Sequence, residues 1–200
     1  MSYVCFNRIA VTGPRPEVLE FRADARRRLP SSARKWTDRT SVAFSLERLF
    51  QKNCLPAPSS NGIPFDAWHY FTWAERVAAW HGYARIEYGL EVKNYEVYEL
   101  LTPLSRVYSD LCFVDSQISL DSGEIMAAYT ARGRCSKWIL SEERCGAHWE
   151  RSAADHAVAE LDDAYEDDDV RRDAEHGMLT EALAHWDKRV LRTLKRWSSL

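Results

Sequence analysis

Ala84-Arg85-Ile86-Glu87-Tyr88-Gly89-Leu90-Glu91-Val92 sets an apolar side chain at every second position, with charge or glycine between. Successive side chains of a strand point to opposite faces, so this stretch predicts a strand with one buried and one charged face. Just upstream, Ala67 to His81 reads as a helix, with Trp68, Phe71 and Trp80 near turn spacing and Gly82 as the residue beyond its end. Downstream, Tyr95 to Tyr108 reads as a second helix with Val97, Leu100, Leu101, Leu104 and Val107 turned inward. Leu111–Leu120 and Glu124–Arg132 then flank Asp121-Ser122-Gly123, a hairpin turn. In the first arm Cys112, Val114, Ile118 and Leu120 share the inner face, and Asp115, Gln117 and Ser119 form the outer one.

Toward the N-terminus, Tyr3 to Thr12 predicts a strand ended by Gly13-Pro14-Arg15-Pro16. Pro16 suits the first turn of a helix, where its missing N–H costs nothing. Val18, Leu19, Phe21, Ala25 and Leu29 mark one face of that helix, and Pro30 closes it. Val42 to Phe50 reads as a short strand running into a helical turn, and Cys54 to Pro64 as a surface loop. Everything after residue 132 reads as helical. Ala154, Ala157, Val158, Leu161 and Tyr165 form one apolar stripe; Leu179, Leu183, Trp186, Val190, Leu194 and Trp197 form another. A helical hairpin with an acidic turn follows.

This order predicts an α+β chain. Residues 1–140 form a ferredoxin-like antiparallel sheet with helices on one face. Residues 141–200 form a helical hairpin that covers the other face, covers an edge, or joins two copies into a homodimer. Of the 200 residues 46% are hydrophobic, eight tryptophans among them, which is ample for a folded core. Five cysteines at irregular spacing, no signal-peptide pattern and no apolar run of about 18 residues predict a reduced, cytoplasmic chain with no membrane contact.

The opening Val4-Cys5-Phe6-Asn7-Arg8-Ile9-Ala10-Val11-Thr12-Gly13, with Trp80-His81-Gly82 further on, resembles the ferredoxin-like-domain proteins carried on bacterial plasmids and genomic islands. The likeness spans residues 1–132. It implies a fold and a mobile-element origin, and it carries over no functional residues.

The net charge of −3 hides a segregated chain. Residues 1–60 hold eleven Lys and Arg against five Asp and Glu; residues 142–185 hold fourteen Asp and Glu against four Arg, before Lys188, Arg189, Arg192, Lys195 and Arg196 reverse the sign. Segments of opposite sign either face each other or face different partners. Asp162, Asp163, Glu166, Asp167, Asp168 and Asp169 make an acidic surface suited to a basic groove on another protein, and they lack the glycine and ligand periodicity of a calcium loop. The leading expectation is therefore a non-enzymatic accessory protein with a protein partner, one version being an inhibitor of a host nucleic-acid-handling or defence complex.

The alternative is nucleic-acid binding or RNA processing through an arginine-rich first helix carrying Arg22, Arg26, Arg27 and Arg28. Cys135, Cys145, His148 and His156 are soft ligands of the kinds zinc takes, but their spacing matches no zinc knuckle, so no metal or other cofactor is expected. No phosphate-binding glycine loop, Gly-x-Ser-x-Gly elbow or His-Glu-x-x-His motif is present, and no catalytic residue is assigned.

Overall fold

The computed structural model describes residues 4–28, 42–56, 72–93, 96–119, 124–158 and 167–198. In chain order the elements are β1 (Val4–Pro14), α1 (Arg15–Ala25), β2 (Arg26–Arg28), β3 (Val42–Phe44), α2 (Leu46–Lys52), β4 (Thr72–Trp80), β5 (Tyr83–Lys93), α3 (Val97–Val107), β6 (Cys112–Ser119), β7 (Ile125–Ala131), β8 (Arg134–Ile139), α4 (Glu142–Asp155), α5 (Asp168–His185) and α6 (Asp187–Ser198). Six strands form one antiparallel sheet in the order β4-β5-β1-β6-β7-β8. Strands β1, β4, β5 and β6, with helices α1 and α3, reproduce the interleaved β-α-β units of the ferredoxin-like arrangement. β7 and β8 widen the sheet at its β6 edge.

The alternation read from Ala84 holds through Tyr88 of β5, and its two faces meet two helical layers. Ala84, Ile86 and Tyr88 point to the side of α1, α2 and α3, where Ile9, Val18, Phe21, Leu49, Leu101 and Phe113 complete a core. Arg85 and Glu87 point to the other side. There Arg85 bonds Asp187 at the start of α6 (2.6 Å), and Arg8 of β1 spans from Glu87 (3.2 Å) to Thr180 of α5 (2.5 Å). The C-terminal helices thus cover the sheet's second face. Their stripe of Leu179, Leu183, Trp186, Val190 and Leu194 packs on Val114, Ile118, Ala127 and Tyr129. That stripe is buried against the sheet of its own chain, with Trp197 half-buried at its end. α4 flanks α5, tied by His148 and Arg144 to Glu181 (2.8 and 2.5 Å) and by His156 to Asp173 (2.9 Å).

Several expectations need correction. The helix expected over Ala67–His81 is a strand in its described part: Thr72–Trp80 pairs with β5 through Trp80↔Tyr83. His81 (φ 43°) and Gly82 (φ 84°) are both left-handed, as a two-residue hairpin turn matched to strand twist requires. Gly82 therefore turns a hairpin instead of ending a helix, and the β5 backbone supplies the hydrogen bonds a helix would have made internally. Residues 67–71 lie outside the described residues.

The helix closed by Pro30 ends at Ala25; the chain becomes extended at Arg26 and pairs Arg26↔Phe44 and Arg28↔Val42. Leu19 is exposed, and so is Val107 at the end of α3. The stretch after residue 132 is not wholly helical, because Arg134–Ile139 is β8. α4 stops at Asp155, Ala154 is exposed, and Ala157 takes a left-handed φ of 56°. Among the described residues the helical stripe expected from Ala154 onward is interrupted, although Val158 packs beside Ala153 and Val170; Leu161 and Tyr165 lie outside the described residues, as do most of the loop after Cys54 and the turn Asp121-Ser122-Gly123. Lastly, the expected outer face of β6 is interior in its described side chains: Asp115 and Gln117 are buried, as is Ser116 on the opposite face. β6 lies between β1 and β7 with helices on both faces, so neither side meets water.

Candidate functional site: a cationic groove

α6 is amphipathic in an unusual way. The 3.6-residue period stacks Val190 and Leu194 behind Trp186 on the sheet side. It places Arg189, Thr193, Arg196 and Trp197 along one flank, with Lys188 and Arg192 on the adjoining rim. Facing that flank is the β7–β8 hairpin, which contributes Tyr129, Ala131, Arg132 and Arg134. Between the two lies a cavity of about 960 Å³. Among the described residues six permanent cations line it (Arg132, Arg134, Lys188, Arg189, Arg192 and Arg196), and no aspartate or glutamate does.

The hairpin tip is held in place from several sides. Arg132 (φ 49°) and Gly133 (φ 74°) form its two-residue turn, both left-handed. An arginine in that conformation carries a backbone cost of about 1–2 kcal/mol, which its side-chain contacts offset. The Arg132 Nε donates to the Ser109 carbonyl (3.0 Å), and the guanidinium lies 4.1 Å from the centre of the Trp197 ring. The Gly133 N–H donates to Ser105 Oγ of α3 (2.8 Å).

The floor is aromatic. Tyr129 and Trp186 pack with ring centres 5.7 Å apart, and Arg189 lies over both, 4.6 Å from the tyrosine ring and 5.2 Å from the indole. The Tyr129 hydroxyl donates to Thr193 Oγ1 (2.9 Å), which ties β7 to α6. Burial raises the Tyr129 pKa and pushes the Cys112 thiol beside it up to about 11, so both stay neutral. At the groove's end His185 stacks on Trp138 with ring centres 4.0 Å apart. Partial burial, then the nearby Arg144, lower its pKa. The positive charge at neutral pH is therefore that of the arginines and Lys188. Planar guanidinium groups over aromatic faces, with a concentration of like charge, are what phosphate groups and bases engage.

The residues expected from sequence lie elsewhere. Arg22 sits on α1, on the sheet's opposite face, while Arg26, Arg27 and Arg28 form β2, so no arginine-rich first helix exists. Asp167 is the N-cap of α5. Its carboxylate accepts from the N–H groups of Asp169 (2.8 Å) and Val170 (3.1 Å), and those bonds lower its pKa. Asp168 and Asp169 pair with Arg171 (2.6 Å) and Arg172 (2.9 Å) one turn on. Asp162, Asp163 and Glu166 lie outside the described residues.

Cys135 is exposed on β8. Cys145 and His148 lie on α4, and His156 caps its C-terminus. Eleven residues of helix separate Cys145 from His156 by about 16 Å, and both histidines already bond carboxylates of α5. Among the described residues no group of three or more His, Cys, Asp or Glu could hold a metal ion.

Sequence periodicity does not reveal the groove, because Arg134–Ile139 shows no apolar face and so gives no periodic sign of the hairpin that sets Arg132 and Arg134 opposite α6. Arg132-Gly133 between two apolar-rich stretches was the available signal. On the far side of the sheet, Asp115 is buried with no hydrogen-bond partner for either carboxylate oxygen. Burial, then the negative charge of Glu96, hold its pKa well above the usual carboxylate range.

Comparison with protein-family models, with curated proteins and with solved structures finds no match to this chain.

Proposed function

We propose that this chain is a nucleic-acid-binding accessory protein whose ligand phosphates seat in the cationic groove. The observation that carries the reading is the lining itself, six permanent cations around one cavity with no carboxylate among the described lining residues. Among the described residues Arg134, Lys188, Arg189 and Arg192 have no carboxylate partner, so their attraction is directed outward. Trp197, half-buried at the wall, adds a ring face of the kind on which bases stack. Such a role fits the accessory proteins of mobile elements that the opening strand resembles. The described part of the acidic surface supports a protein partner less well, because its carboxylates are answered within their own helical turn.

The test is fluorescence anisotropy with a labelled oligonucleotide across a salt series. Neutralising about four phosphates makes affinity fall roughly 50-fold between 50 and 200 mM salt. A flat salt dependence, or no binding at low salt, rejects the reading.

A further inference from the structure

We infer that the groove takes single-stranded nucleic acid in preference to duplex, with Trp197 and its covering arginine as the base-stacking platform. This rests on the phosphate-binding reading above and adds the class of strand.

Shape comes first. The cations converge on a concavity of about 960 Å³, the size of a pocket that encloses a small ligand. A duplex is convex and rigid, and proteins read it by projecting a helix or ribbon into its major groove. α6 does not project: Val190 and Leu194 bury one side against the sheet, and its cationic flank faces inward across the groove. A single strand turns its bases out and bends, so its phosphates and bases both reach the walls.

Chemistry comes second. Tyr129 and Trp186 are buried in the floor, whereas Trp197 is half-buried at the wall with the Arg132 guanidinium 4.1 Å from its ring. A base stacks on such an arginine plane or replaces it on the indole. Duplex bases are already stacked on each other and gain nothing there. The left-handed backbone at Arg132 and the bond from Gly133 to Ser105 hold that arginine over the ring before any ligand arrives.

The experiment compares labelled oligothymidine with a duplex of equal length, by anisotropy at one salt concentration, for the wild type, Trp197→Ala, Trp197→Phe and Arg192→Ala. The wild type is expected to bind the single strand about tenfold or more tightly than the duplex. Trp197→Ala removes most of that preference, because one base–aromatic stack contributes roughly 5- to 150-fold. Trp197→Phe, which keeps a ring and the packing, retains it. Arg192→Ala weakens both ligands by similar factors. Equal or tighter binding of duplex overturns the inference while leaving the phosphate-binding reading standing, as does an unchanged preference in Trp197→Ala. Failure of the wild type to bind either ligand rejects the phosphate-binding reading itself. Should Trp197→Ala not fold, loss of the preference in Trp197→Phe likewise overturns the inference, because a phenyl ring still offers a face for stacking.

Discussion

The start of α5 and the flank of α6 are consecutive stretches of one helical hairpin with opposite charge, and they treat that charge differently. Asp168 and Asp169 are matched by Arg171 and Arg172 three residues on, and Asp167 bonds two backbone N–H groups. On α6, the spacing of Lys188, Arg189, Arg192 and Arg196 places cations beside cations, and the hairpin across the groove adds Arg134 and Arg132, the latter also paired with Asp110 at 3.3 Å. A run of charge in a sequence is thus a poor guide to a charged site. What counts is whether the opposite sign lies within one helical turn or within reach across the fold. Arg85 shows the second route, since it neutralises Asp187 from β5, at 2.6 Å.

The contrast is broken most directly by reversing charge on each side. Arg189→Glu with Arg192→Glu is expected to reduce oligonucleotide affinity by about 100-fold or more, since two favourable phosphate contacts become repulsive. Asp168→Asn with Asp169→Asn is expected to change it by less than about threefold. Anisotropy titrations on both variants check this, and equal effects would mean that the groove is not the contact surface.

Asp115 sharpens the comparison, as a buried acid with no hydrogen-bond partner among the described residues. Asp115→Asn is expected to stabilise the chain at neutral pH, because a neutral amide escapes the cost of holding a carboxyl protonated above its ordinary pKa, about 1.4 kcal/mol for each pH unit so spanned. The sign follows from the raised pKa. The unfolded chain releases the Asp115 proton first, so wild-type stability falls as pH rises above the ordinary carboxylate value toward the raised one. Urea unfolding at pH 4 and at pH 7 is expected to show Asp115→Asn gaining relative to wild type at the higher pH.

A smaller effect separates function from stability within the groove. Arg132→Gly relieves the left-handed backbone at φ 49° and removes the guanidinium from Trp197. Stability is expected to stay level or rise by up to about 1 kcal/mol, while affinity falls several-fold. Thermal unfolding and titration of the same sample check both. The smallest effect is expected from Asp167→Ala, which removes the α5 cap. The melting temperature falls slightly at neutral pH with affinity unchanged. The difference disappears as pH drops through the lowered Asp167 pKa, where the wild-type cap is itself protonated.

Much of the fold was legible for a local reason. The alternation of β5, the proline entry to α1, the inward face of Val97, Leu100, Leu101 and Leu104, and the arms of the β6–β7 hairpin all express a two- or 3.6-residue period. That period records which side of an element is buried. Thr72–Trp80 was not legible in the same way, because an edge strand is defined by its neighbour's hydrogen bonds, and its alanines, glutamate and tryptophans suit a helix equally. β8 failed for the same reason. Its alternation of Arg134, Ser136 and Trp138 with Cys135, Lys137 and Ile139 separates no apolar face from a polar one.

By itself the sequence determined the element types wherever burial is periodic, the α+β class, and a C-terminal helix with cations on one side and leucine, valine and tryptophan on the other. Only the tertiary structure decided where those cations act. Packing of α6 on the sheet, with Tyr129 bonded to Thr193, brought Arg132 and Arg134 opposite Arg189, Arg192 and Arg196, about sixty residues later in the chain. Helices on the two sides of the sheet closed both faces of β6 around Asp115, a residue whose neighbours in sequence mark it as exposed. Local periodicity encodes the face a residue shows, and packing alone determines what that face meets.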